Sequence, residues 1–554
     1  MLIPKFSDVA RRILGPRVVR RGRMGGLGLV ALAWALQPAV SSPAQNNNDP
    51  VLGLLLEKGV ITQDEAARTA AQIASMRTNE AAVYPDSKWK ISPGIKDMQL
   101  EGDLRLRFED RSAKDPSGGS IELQRYRYAA RLGIKGDVAD DFNYGFRVET
   151  SSNPRSTMVT LGTSSSANPY VGPFGKSQGG IQVGQIYVGW HPEDWVTLTA
   201  GKMPNPLFTS SLVWSPSIAP EGLAEQFKST VGKVDFFATF GQFLYQDANP
   251  VSATPDLGLG FQGGANGQDA NNLFLLAWQG GLTYHITPKT SFKIAATFYQ
   301  YYGQEQGNNK SEISPYFGDT YVGEGAYTGP GSAYYTTGNG YSGYTTTGLR
   351  VGVNPITGAY SLSYPNNQTG LNDLEVLEVP FELNFKVSQL DARVFGDVAY
   401  NLSGGQRAQA AAAAYNEYLT SQSASFKGFA PQTGDDKAWQ IGLALGSEGS
   451  LGLVNGATAK RHSWEVRTYW QHIEQYSLDP NLLDLDFNAG AENLQGIYAA
   501  AAYGFTDNFI GTFRYGYASR INGKLGTGGT GTDIPQINPI TQYDIFQVDL
   551  TLKF

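Results

Sequence analysis

Charged side chains fall only on alternate positions in the stretches LEGDLRLRFE, QRYRYAARLGIKG and FNYGFRVET. Arg105, Arg107, Arg125, Arg127, Arg131, Lys135 and Arg147 share one parity with Glu101, Asp103, Glu109 and Glu149. In an extended chain this spacing puts guanidinium and carboxylate groups on one face. Rows of opposite charge facing across a narrow wet space set a transverse field and sort ions, which is the chemistry these residues suit. Glu382, Lys386, Arg393, Asp397, Glu465, Arg467 and Arg514 extend the pattern to later segments.

Bond-making chemistry finds little footing. The chain has no Cys, which removes disulfide frameworks, thiolate metal sites and Cys nucleophiles. Its four histidines are His191, His285, His462 and His472. Only His472 with Glu474 makes an acid–base pair, at a spacing common by chance. No GxSxG elbow, HExxH helix, phosphate-binding loop or dinucleotide fingerprint stands in a strand–helix context. The expectation is a protein that is not an enzyme and needs no cofactor, with divalent ions bridging acidic outer loops as the one metal role left open.

What must position the charges is constrained by composition. Among 554 residues only 17% are charged, while Gly reaches 66 and Phe and Tyr together 57. Typical soluble domains are about 25% charged. A mean hydropathy of −0.28 argues against a bundle of membrane helices, and the aromatic content against disorder. The net charge of −7 gives no support to nucleic-acid binding, which needs a basic face.

Residues 1–44 carry seven Lys or Arg, then an uncharged stretch from Met24 to Val40, then Ser42 and Ala44 at the small-residue positions of a cleavage site. This is the layout of a signal peptide, cleaved after Ala44, and its loss takes the net charge to about −13. Residues 45–90 follow as a helical lead and linker, with the capping box Thr62 to Glu65 opening a second helix after Gly59. It reads as a small extension packed against the mouth of the main fold, with trimerisation or cell-wall tethering as the functional alternative.

From residue 91 to 554 the period is two. In DIFQVDLTLKF, Phe546, Val548, Leu550, Leu552 and Phe554 take one face, with Gln547, Asp549, Thr551 and Lys553 opposite. Sixteen such segments occur, near 98–110, 121–136, 141–151, 181–191, 195–203, 223–231, 234–245, 272–286, 290–302, 375–387, 390–402, 437–447, 462–475, 493–505, 508–519 and 544–554. Most are long enough to cross a bilayer as tilted strands. Short turns (DVADD, HPED, TPK, SQ, TD) alternate with long connections, although 448–461 is longer than that rule prefers. Phe142, Tyr144, Trp190, Trp195, Tyr284, Phe505, Phe509 and Phe554 sit where segments meet turns, as interface girdles do. The expected fold is all-β, a transmembrane antiparallel barrel of about 16 strands. Both termini then lie on the short-turn, periplasmic side.

Inside such a barrel the charged parity faces a lumen, because lipid-facing Arg costs about 2–4 kcal/mol near the midplane. Arg105, Arg107, Arg125, Arg127, Arg131 and Arg147 are expected as a basic wall, with Asp103, Glu109 and Glu149 as lumenal acids. A plugged interior, with Arg and Glu paired across strands, is the structural alternative. Lys202 falls on the outward parity, through a bulge or a rim position.

The segment GKMPNPLFTSSLVWSPSIAPEGLAEQF, Gly201 to Phe227, together with RYRYAARLGIKG, FNYGFRVET and the lead LLLEKGVITQDEA, resembles the bacterial putative porins of Gram-negative outer membranes. Gly201, Lys202, Asn205, Pro206, Glu221 and Gly222 carry the likeness, while Ser215 and Ser217 stand where that family's acidic residues are expected. The resemblance implies a third loop folded into the barrel as a constriction, with Asn205, Pro206, Trp214, Glu221 and Gly222 in it. It also implies a homotrimer. The outer-membrane location implies lipid and lipopolysaccharide as surroundings, and the barrel assembly machinery as a partner reading the terminal Phe554. Gly- and Tyr-rich 303–374 is expected as a surface cover and Ala408 to Leu419 as a short loop helix. The function expected is passive diffusion of small hydrophilic solutes and ions, with a sugar- or anion-selective channel and a closed-lumen surface adhesin as alternatives.

Overall fold

The structure, a computed structural model, describes residues 94–114, 120–138, 141–151, 156–162, 180–246, 273–302, 351–353, 360–362, 374–412, 430–484, 486–487, 490–527 and 540–554. All belong to the compact unit Ser92–Phe554. The signal peptide and the helical lead expected from the sequence lie outside the described residues.

In chain order the strands are β1 (Gln99–Lys114), β2 (Ser120–Val138), β3 (Phe142–Ser151), β4 (Val159–Thr160), β5 (Gly180–Glu193), β6 (Val196–Lys202) and β7 (Glu221–Val231). Then come β8 (Val234–Gln246), β9 (Leu273–Thr287), β10 (Thr290–Tyr302), β11 (Val351–Val353), β12 (Tyr360–Leu362) and β13 (Glu375–Val387). The last six are β14 (Leu390–Asn401), β15 (Lys437–Ser447), β16 (Trp464–Ile473), β17 (Leu494–Gly504), β18 (Phe509–Arg520) and β19 (Gln542–Lys553). Setting aside the two-residue β4 and the separate hairpin β11–β12, sixteen strands form one antiparallel sheet. They coincide one for one with the sixteen alternating segments of the sequence.

The sheet closes where β1 pairs with β19, from Asp103 opposite Lys553 to Lys114 opposite Gln542. Closure is what lets strands cross lipid, since it leaves no edge of unpaired backbone groups. The burial pattern is inverted relative to a soluble sheet. On β1, Leu104 and Leu106 are 49% and 58% exposed, while Asp103, Arg107 and Glu109 are 7%, 3% and 0% exposed. An apolar skin over an ionic interior is stable only if lipid is the outer solvent. Rings gather where strands meet short turns: Phe142 stacks on Trp190, Trp195 on Phe227, and Phe505 contacts both Tyr503 and Phe509.

Six of the connections at one end are tight. The seventh, 448–463, folds back against the barrel, with a 3-10 turn at Leu453–Asn455 whose Leu453 and Val454 are buried. Glu465 Oε2 accepts from the backbone N–H of Gly452 and of Val454, both at 2.9 Å, and this fixes the turn. A helix covers 404–412, matching the first part of the expected Ala408 to Leu419 helix; 413–419 lies outside the described residues. Of 303–374, only β11, β12 and Leu374 are described.

Two glycines mark the point where the third loop leaves the wall. Gly201 and Gly222 face each other across β6 and β7, with φ of 118° and 149°. A Cβ at Gly201 would meet the Ile186 carbonyl oxygen at 2.3 Å, and one at Gly222 the Gln242 carbonyl oxygen at 2.1 Å. Lys202, opposite Glu221, pairs with it at 2.5 Å at the end of β6, so its place is the rim. Gly222→Ala is expected to destabilise the barrel by about 1–3 kcal/mol or more, from backbone strain. Gly280→Ala, whose Cβ meets open space, should change stability by less than about 0.5 kcal/mol. Urea titration of both variants provides the comparison.

Candidate functional site

The loop 203–220 is free of charge yet deeply buried. Met203, Leu212, Val213 and Trp214 join an apolar cluster with Phe243 of β8, Leu275 of β9, Tyr299 and Tyr301 of β10 and Val376 of β13. All these strand residues lie on the inward parity, so the loop turns into the barrel interior and packs along the inner face of the strands that follow it in the sheet.

Polar contacts fix where it lands. Gln279 on β9 clasps the backbone of Phe208, accepting its N–H and donating to its carbonyl, each at 2.8 Å. Thr209 Oγ1 donates to Glu378 Oε1 and Ser210 Oγ to Asp397 Oδ2, each at 2.6 Å. Glu378 and Asp397 are fully buried neighbours on β13 and β14, and Tyr299 donates to Glu378 from the other side at 2.6 Å. Hydrogen bonds to such groups are strong because the alternative is an unsatisfied buried carboxyl. The remaining loop residues shape the turn: Asn205 Oδ1 accepts from Leu207 N at 3.0 Å, and the Pro206 carbonyl accepts from Gln226 Nε2 at 3.2 Å. Trp214 Nε1 donates to the Ile218 carbonyl at 3.1 Å.

A second loop, between β16 and β17, also turns inward, which sequence reasoning missed. Leu478, Leu482 and Leu483 belong to the same apolar cluster, and the Leu482 carbonyl accepts from Ser215 N at 2.7 Å. Its Asp486 reaches Arg107 Nη1 at 2.7 Å. The DLDF stretch that carries Asp484 and Asp486 was the available signal, being the one acidic stretch within that connection.

The first-strand charges split into two groups. Glu109, fully buried, is ringed by Arg125 at 2.5 Å, Arg111 at 3.0 Å, and Arg107 and Arg127 at 3.6 Å. Arg107 also pairs with Asp549 of β19 at 2.7 Å. Arg131 pairs with Asp103 at 2.7 Å and Arg147 with Glu149 at 3.2 Å. Much of the interior is therefore ionically packed.

An opening of about 450 Å³ remains between the loop and the wall. Arg105, Arg131, Arg393, Arg467 and Arg514 line it on the wall side, and Asn205, Thr209, Ser210, Ser211 and Trp214 on the loop side. Asp484, Asp486 and Glu382 are its acids, and Val454 and Asn455 reach it from the 448–463 turn. Of the expected basic wall, Arg105 and Arg131 reach this cavity; Arg107, Arg125, Arg127 and Arg147 do not line it. Arg393, Arg467 and Arg514 come from strands 260 or more residues later, brought alongside by closure.

Burial raises the Asp484 carboxyl to about 7, and the neighbouring Asp486 charge adds to the rise. Burial acts on Asp486 in the same direction, but Arg107 and Arg514 overcome it and hold this carboxyl well below the ordinary range. Among the described residues no histidine stands between an acid and a hydroxyl, the arrangement that activates a nucleophile. His472, for one, lies between Glu474 at 3.2 Å and Gln495 at 3.0 Å and stacks on Trp439.

Residues 117–554 match the model of a family described as "Putative porin". No curated protein matches the chain. Among solved structures, OmpF of Salmonella typhi in complex with daunomycin is similar at 9% identity and a TM-score of 0.39, over 84% of this chain and all of that one. A loop L8 deletion mutant of OmpT from Vibrio cholerae is similar at 9% identity and a TM-score of 0.35, over 83% and 99% of the two chains.

Combining Thr209→Val with Ser210→Ala removes both donors that tie the crossing loop to Glu378 and Asp397. The expected cost is about 1.5–3 kcal/mol for each lost bond. A lower urea midpoint, with new protease cleavage inside 203–220, is the readout. An unchanged midpoint would show that the loop is held elsewhere.

Proposed function

We propose that this chain, which belongs to the putative porin family, forms a water-filled channel through which small hydrophilic solutes and ions cross the outer membrane passively. The family and the closed sixteen-stranded barrel together support an outer-membrane channel. The observation that carries the finer reading is the cavity inside the barrel, bounded by an uncharged crossing loop and an arginine-bearing wall. Ionisable groups that face an open interior space set a field within it and tune which solutes pass.

The accompanying assignments follow from that reading. Export through a cleaved 1–44 leader and folding by the barrel assembly machinery acting on Phe554 would deliver the chain to the outer membrane of a Gram-negative bacterium, amid lipid and lipopolysaccharide. Both termini would face the periplasm, at the end carrying the short turns, and three copies would assemble. Arg105 and Arg131 would line the pore directly. Arg107, Arg125, Arg127 and Arg147, with Asp103, Glu109 and Glu149, would hold the wall that carries them. Asn205, Pro206, Trp214, Glu221 and Gly222 would set the constriction loop.

Reconstitution into a planar bilayer tests this. Stepwise ohmic openings are expected, and silence would leave the closed-lumen adhesin in its place. Asp484 gives a second test. Its carboxyl, facing Asp486, Arg107, Arg514, Tyr469 and Tyr498, passes from mostly neutral to mostly charged between about pH 6 and about pH 8. Raising the pH therefore adds negative charge to the cavity, and the cation share of the current should rise across that window. Asp484→Asn should flatten the response.

A further inference from the structure

The channel reading leaves the sign of the preferred charge open, and the cavity carries an answer that rests on that reading. We infer that the constriction selects small anions, carboxylates foremost, and that Arg105 is the residue that sets the preference.

The argument begins with the crossing loop. From Met203 to Pro220 it contains no Asp, Glu, Lys, Arg or His, so it contributes hydroxyl, amide and aromatic groups to the cavity but no charge. The sign is then decided by the wall and by the loop between β16 and β17. Five arginines line the cavity against Glu382, Asp484 and Asp486. The acids that balance several of these arginines stand behind them: Asp103 for Arg131, Glu465 for Arg467 and Asp549 for Arg514 are all buried. A solute in the cavity meets the guanidinium groups before it meets those carboxylates.

Arg105 differs from its neighbours. Its guanidinium has no ion-pair partner among the described residues, and its Nε has no hydrogen-bond partner. Asp549 is the acid that acts on it most strongly, and Arg107 and Arg514 already hold both oxygens of that carboxylate. Arg107, Arg131 and Arg514 add their positive charges around it. An unpaired guanidinium in a low-dielectric wall acts on a mobile ion far more strongly than one neutralised in place. Its planar fork of donors also matches a carboxylate with two parallel hydrogen bonds, which a spherical halide cannot use. The hydroxyls of Ser211 and Ser217, on the opposite side of the same cavity, add neutral polar groups that favour neither sign.

The test is a zero-current potential across a planar bilayer, first in a potassium chloride gradient and then with potassium acetate opposite potassium chloride. The wild-type pore should favour chloride over potassium, and should pass acetate better relative to chloride than their mobilities in free solution predict. Arg105→Gln should reduce both preferences by at least about threefold. Arg105→Lys keeps the charge without the fork, so it should retain the anion preference and lose the acetate advantage. Lys289→Gln, an exposed turn charge away from the cavity, should change neither. Cation preference in the wild type, or an Arg105→Gln pore that matches it, overturns the inference while leaving the channel intact. Complete silence overturns the channel reading, and the inference with it.

Discussion

The interior depends on the buried guanidinium of Arg107. It pairs with Asp549 on β19, approaches Glu109 on its own strand, and holds Asp486 of the inward loop between β16 and β17. One side chain therefore ties the closure seam to the loop that bounds the cavity. An uncompensated charge at such a site costs about 3–5 kcal/mol, so the cluster is held as a set or not at all. The cavity keeps its shape because the groups around it cannot relax singly. The crossing loop 203–220 is held on the opposite wall by the same logic, through Gln279, Glu378 and Asp397 instead of an ion pair.

The barrel was legible in the sequence because lipid and lumen impose opposite demands on successive residues. A strand such as 544–554 separates apolar from polar side chains at period two, and a shift of one residue would turn every charge into lipid. That constraint acts locally, and all sixteen strands could be located from it. No comparable rule governs the connections. A polar loop in an aqueous lumen and a polar loop in bulk water have similar compositions, so the inward course of 474–493 and of 448–463 left little trace. The excess length of 448–461 was the trace it did leave, and the turn anchored on Glu465 accounts for it.

The site shows the same division. Parity put Arg105, Arg131, Arg467 and Arg514 on the inner face, but not which of them would be neutralised. That depends on partners 379 and 442 residues away, as with Arg107 and its two aspartates. The motif residues at the loop's base fared better, because their reasons are local. Gly201 and Gly222 stand where backbone meets backbone, Lys202 and Glu221 pair directly, and Asn205 closes its own turn. Ser215 and Ser217 were visible as departures from an acidic pattern. Their consequence appeared only once the loop was seen against the arginine wall.

The uncharged loop has a consequence for how such a protein diverges. Shape and charge are written on separate stretches of chain: the uncharged 203–220 bounds one side of the cavity, and the charges come from scattered wall positions and from the loop between β16 and β17. A lineage could exchange one wall side chain and keep the loop, its anchors and the fold untouched. The cavity is thus modular, and the chemistry of its lining is expected to drift faster than its architecture.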